Sequence, residues 1–168
     1  MARRTKKRTW NAEEDQKLIE LVQIKGPQYW NNIAESLENR TGKQCRERWH
    51  NQLDPSLKRM NWSNAEEWIL FLLQRRSPNK WSEFVGNLYG RSDNAIKNYW
   101  NTALSHRVAK FQAALENYFA QVKAQHQLSP RESGSESDYL KHVESNLLTH
   151  YIEEARNQYL NYLRDKID

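Results

Sequence analysis

Six of the seven tryptophans fall into two equal triads: Trp10, Trp30 and Trp49 lie 20 and 19 positions apart, and Trp62, Trp81 and Trp100 lie 19 and 19 apart. Self-similarity at a period of about 50 residues is an internal repeat. Other positions follow it. Asn31-Asn32-Ile33 follows Trp30 as Ser82-Glu83-Phe84 follows Trp81, and Leu37 matches Leu88. A unit this small buries little surface, and three large rings supply much of what it can bury. The tryptophans therefore read as core, in preference to platforms for unpaired bases.

Each repeat reads as three helices. The first opens at Asn11-Ala12-Glu13-Glu14 and at Ser63-Asn64-Ala65-Glu66, both capping boxes in which a polar side chain and a glutamate satisfy backbone donors reciprocally. The second carries Trp30, Ile33 and Leu37, or Trp81, Phe84, Val85 and Leu88, at helical spacing, with Ser77-Pro78 as cap and first-turn proline in the second repeat. Turns at Asn39-Arg40 and Gly90-Arg91 lead to third helices beginning at Thr41 and Ser92. Three short helices with a tight turn before the last form a helix-turn-helix. The expected fold is thus all-α, with repeats at 9–54 and 61–105 joined by a short, proline-stiffened linker at 55–60.

At about 100° per residue, the third helices sort into two faces. Cys45, Trp49 and Gln52 share the inward side of the first, with Lys43, Arg46, Glu47, His50 and Asn51 opposite. In the second, Ile96, Trp100 and Ala103 face inward, and Asn94, Lys97, Asn98 and Asn101 outward. Asparagine is a poor helix former, so three within two turns are costly on a merely solvated face. Their amides can donate and accept at once, which suits adenine N6 and N7. Lysine suits guanine O6 and N7, and Glu47 can accept from cytosine N4.

Charge agrees. Net charge is +5, but residues 1–104 carry 18 Lys and Arg against 12 Asp and Glu, whereas residues 105–168 carry 8 against 9. The basic half fits a polyanionic partner. Arg46, Arg91 and the basic arm 1–8 are candidates for phosphate contact, which positions without specifying; the arm equally fits a nuclear localisation signal or a solvated tail. The single cysteine, Cys45, excludes an intramolecular disulfide. The longest apolar run, residues 68–73, is too short to span a bilayer, so no membrane partner is expected. His50, His106, His126, His142 and His150 form no metal-ligand spacing, and no glycine-rich phosphate loop occurs. Neither an enzyme nor a cofactor or metal site is expected.

The tryptophan triads, with Gly42-Lys43-Gln44-Cys45-Arg46-Glu47-Arg48-Trp49-His50-Asn51 and Asp93-Asn94-Ala95-Ile96-Lys97-Asn98-Tyr99-Trp100-Asn101, resemble the last two repeats of the Myb transcription-factor family. The resemblance covers residues 9 to about 105. It implies a nuclear, sequence-specific double-stranded DNA-binding protein whose base readers are Lys43, Glu47 and Asn51 in the first repeat and Asn94, Lys97, Asn98 and Asn101 in the second. It implies an AAC core followed by G, read in adjacent stretches of one major groove. Cys45 matches a family core cysteine able to make binding redox-sensitive, although simple packing is the preferred reading. The competing class is a SANT-type chromatin or protein-interaction module, which tends to be acidic or bulky on the third helix, where this chain offers lysine, arginine and asparagine.

One departure from the family concerns Trp68 and Leu72, apolar where members are normally polar. A tryptophan and a leucine one turn apart on an outer face imply a cover. The apolar spacing of Leu104, Val108, Phe111, Leu115, Tyr118 and Val122 predicts that the last repeat helix runs on to about His126. Residues 127–137 read as a linker, and 138–168 as one long amphipathic helix. Two arrangements are expected: a hairpin docked on Trp68 and Leu72, or a homodimer or other protein partnership through the same helices.

Overall fold

A computed structural model describes residues 9–126 and 136–166; the basic arm 1–8 and the stretch 127–135 lie outside the described residues. The chain divides into two compact units, 1–57 and 58–168, and the described residues contain helices and no strand.

The first unit holds α1 (Ala12–Lys25), α2 (Trp30–Ala34) and α3 (Gly42–Arg48), the last running into a π-helical turn over Trp49–Leu53. Asn11 and Thr41 cap α1 and α3 with complete capping boxes. Leu18, Val22, Ile33, Leu37, Cys45 and Trp49 form the core, with Trp10 and Trp30 packed against it. Leu37 reaches that core from beyond the end of α2, which is shorter than its apolar spacing predicts. Close approach of helices in the turn explains Gly42. A Cβ there would lie 2.2 Å from Asn31 Oδ1 and 2.9 Å from the Asn31 backbone nitrogen.

The second unit repeats the plan with α4 (Asn64–Arg76), α5 (Trp81–Phe84) and α6 (Asp93–Thr102), and adds α7 (Val108–His126) and α8 (Glu136–Arg164). Ser63 and Ser92 cap α4 and α6. Two expectations fail locally. Ser77 ends α4 instead of opening α5: its N–H donates to Leu73 O, and Asn79 then turns left-handed at φ 63° before Trp81. The last repeat helix also does not continue to His126 unbroken. At Ala103 the backbone leaves helical geometry (φ −132°, ψ −58°), and a 3₁₀ turn over Leu104–Arg107 drops Leu104 into the core before α7 begins.

The cover over Trp68 and Leu72 is intramolecular. Trp68 packs edge-on against Phe111 of α7 at 4.8 Å and stacks on Tyr151 of α8 at 5.6 Å, with an interplanar angle of 2°. Leu72 is fully enclosed, in one cluster with Phe111, Leu115, Leu148 and Ala155. Arg75 closes the seam by donating to Glu144 at 3.3 Å and Gln112 at 2.9 Å. Glu144 thus meets the end of α4, and Tyr151 its middle, so α8 runs antiparallel to α4.

Candidate nucleic-acid interface

Each third helix is held from behind by the same device. The residue opening the turn is left-handed, Asn39 at φ 63° and Gly90 at φ 75°. An arginine follows and points inward. Arg40 donates to Glu14 at 2.9 and 2.8 Å, and its guanidinium lies 4.3 Å from the centre of the Trp10 ring. Arg91 donates to Glu66 at 2.7 and 3.0 Å and lies 4.7 Å from the Trp62 ring. Burial by itself would raise the Glu66 carboxyl, but hydrogen bonds from Arg91 and the Ser63 backbone, with the charges of Arg91 and Lys58, hold it below its ordinary value.

This corrects one expected site residue. Arg91 is only 6% exposed. Its remaining donors are spent on the carbonyls of Lys58, Met60 and Asn61, so it has no face to offer a phosphate. Arg46, the other phosphate candidate, is exposed. The signal that would have separated them is the repeat itself. Arg40 and Arg91 occupy equivalent turns and lie 26 and 25 residues from equivalent first-helix glutamates.

A second lock acts on the third helices. Arg48 donates to Asp15 at 2.8 and 2.6 Å. In the second repeat Tyr99 stands at the matching position, stacks on Trp62 at 4.2 Å and donates to Glu67. The missing cation comes from the 3₁₀ turn: Arg107 donates to Glu67 at 3.1 and 2.5 Å. Burial and the Glu67 hydrogen bond push the Tyr99 phenol up, so it stays a donor at neutral pH.

What these locks present is a polar row. On α6, Asn94, Lys97, Asn98 and Asn101 are all exposed, while Ile96 is buried and Trp100 half-buried behind them. On α3, Lys43 and Glu47 are 84% and 54% exposed and only loosely paired at 3.9 Å. The first repeat departs from the ideal-helix reading past Arg48. Its π turn closes through Asp54 N–H to Trp49 O, one residue wider than an α turn, and shifts the residues within it. Gln52, expected inward, is exposed and accepts from Arg48 at 2.7 Å. Asn51, expected outward, is half-buried, and its Oδ1 is enclosed without a partner. Cys45 is fully buried, and burial pushes its thiol above its ordinary value despite nearby Arg40, which fits packing.

Comparison with known proteins agrees with this geometry. The Myb-like DNA-binding domain model matches residues 10–70. Myb-related protein A of Gallus gallus is 48% identical over 99 residues, which are 59% of this chain and 13% of that protein, so the chain spans only a small part of this curated relative. Among solved structures, the Trichomonas vaginalis Myb3 DNA-binding domain bound to a promoter sequence is 42% identical. It is matched over 60% of this chain and 86% of its own, with a TM-score of 0.58. Trichomonas vaginalis Myb2 in complex with MRE-1-12 DNA is 34% identical over 62% of this chain and 99% of its own, with a TM-score of 0.56. Repeat period, turn geometry and relatives converge, and the chain belongs to the family of Myb-like DNA-binding domains.

Proposed function

We propose that this chain is a sequence-specific double-stranded DNA-binding protein that acts in the nucleus as a regulator of transcription. Each repeat lays its third helix in the major groove. The observation that carries the reading is the exposed row Asn94, Lys97, Asn98 and Asn101 on a helix immobilised from behind. A fixed helix turning amides and an ammonium toward solvent can make bidentate contacts to adenine and guanine edges without first losing much backbone freedom. In the first repeat Lys43 and Glu47 offer the complementary guanine donor and cytosine acceptor. Asn51 joins them if its amide swings out, which would also relieve an enclosed oxygen that costs about 1–3 kcal/mol unpaired. Arg46 serves a phosphate.

The Trichomonas vaginalis structures named above hold DNA, and this chain matches them over most of their length. The family resemblance implies a site with an AAC core followed by G, and asparagine readers for adenine with a lysine reader for guanine are consistent with it. Selection of bound duplexes from a random library tests the proposal. Enrichment of such a core supports it, and recovery of the starting base composition overturns it.

A further inference from the structure

The last turns of α8 extend past α4 and lie over residues outside that helix. Tyr159 stacks on Tyr89, with ring centres 6.1 Å apart. Its edge closes over Gly90, where a Cβ would come within 2.7 Å of Tyr159 Cε2 and 2.9 Å of Lys58 Cβ. One turn on, Lys166 lies 4.6 Å from the centre of the Tyr162 ring, and a hydrogen bond from Lys166 with a further one from the Arg59 backbone holds the Tyr162 phenol below its ordinary value. The same short segment is gripped from its other side. Lys58 N–H donates to Gly90 O at 2.8 Å, and its ammonium meets Glu66 at 3.3 Å. Arg91 binds the carbonyls of Lys58, Met60 and Asn61 at 3.2, 2.8 and 3.0 Å. Residues 58–61, which in sequence read chiefly as linker, form a strap between the turn that opens α6 and the end of α8.

We propose that Tyr159 and Tyr162 make the end of α8 a positioning brace, which fixes residues 58–61 to the second repeat, takes them out of the free tether between the repeats and so narrows the range of base-contact spacings the two repeats accept together. The inference rests on the DNA-binding reading above. Two tethered modules reinforce each other through an effective concentration set by linker length and stiffness. A long compliant linker tolerates several spacings, and each costs ordering entropy on binding. A tether shortened in advance accepts fewer spacings and removes part of that cost. The brace therefore gives the C-terminal third a role in recognition although α8 packs on α4, away from the polar row of α6.

The test uses the full chain, as wild type, Tyr162→Phe and the double variant Tyr159→Ala/Tyr162→Ala. Two readouts are taken: amide hydrogen exchange at Lys58 and Arg59, and affinity for the selected duplex and for the same duplex with one base pair inserted between the parts read by each repeat. The double variant should exchange faster at both amides. It should bind the selected duplex about three- to tenfold more weakly, with a smaller penalty for the insertion than wild type shows. Tyr162→Phe, which keeps the ring, should speed exchange at Arg59 alone. Unchanged exchange at Lys58 and Arg59 overturns the brace, and an equal loss on both duplexes overturns its role in spacing. If wild type prefers no duplex, the DNA-binding reading fails, and exchange alone then decides whether the brace exists.

Discussion

Glu66 is almost wholly enclosed and faces two cations, Arg91 at 2.7 Å and Lys58 at 3.3 Å. Removing Arg91 leaves the buried carboxylate with Lys58 alone and strips the carbonyls of Lys58, Met60 and Asn61 of their donor, and breaking a buried pair in this way costs about 3–5 kcal/mol. Arg91→Ala should therefore act as a folding lesion of the second unit, lowering its melting temperature. Were Arg91 a phosphate contact, the same change would leave melting untouched and only weaken DNA binding. Acid should act on the same pair. The Glu66 carboxyl is held below its ordinary value of 4.5, so folding is favoured above that pH, where the unfolded carboxyl is also ionised. The advantage is lost as pH falls below 4.5 through the folded value. Glu67, where burial opposes and Arg107 with Tyr99 favour ionisation, is also lowered and adds to the trend. Thermal unfolding followed by circular dichroism should show a progressive drop below pH 4.5, and a constant midpoint down to pH 3 would contradict the account. Arg91 was misread from sequence because a basic residue beside a recognition helix is commonly a phosphate ligand. Its inward direction depends on the left-handed Gly90 and on a glutamate 25 residues away.

Among elements, the second repeat's first helix differs most from its counterpart. Trp68 and Leu72 are covered by α7 and α8, so α4 is a central helix of its unit instead of an outer one. Leu72→Ala should leave a cavity against Leu148 and cost about 2–5 kcal/mol, measured by denaturant unfolding of the intact chain. The matching position in the first repeat is Glu20, which is exposed, and Glu20→Ala should change stability by less than about 0.5 kcal/mol. Equal effects at the two positions would mean that α8 does not dock. The need for a cover was legible because it rested on two large apolar residues on an outer face. The capping boxes at Asn11 and Ser63 were legible because they are local hydrogen-bond patterns. The π turn after Arg48 and the break at Ala103 were not. Both depart locally from a sequence with good helical periodicity: the first closes through Asp54 N–H on Trp49 O, and in the second Leu104 and Arg107 reach inward to the core and to Glu67.

At the scale of the whole molecule, the wide apolar stripe of α8 is largely used within the chain. Val143, Leu148 and Ala155 are buried, and Leu160 is the large apolar residue of that helix left most open, at 47% exposure. The chain thus combines a small repeat of its own with a second repeat enlarged by two helices, and DNA recognition is assigned to one exposed polar row on each. The candidate site was largely legible in the sequence because helical periodicity alone puts Lys43, Glu47, Asn94, Lys97, Asn98 and Asn101 on outward faces. Asn51 departed because the π turn shifts it. The central claim is that the α6 row reads bases and is more than a solvated surface. The most direct measurement is the affinity of wild type and Asn98→Ala for the selected duplex and for duplexes with single base changes in it. The account predicts a loss of about 1–3 kcal/mol on the selected duplex and relaxed discrimination at one base position, with melting unchanged. Equal affinity of both proteins for every duplex would contradict it.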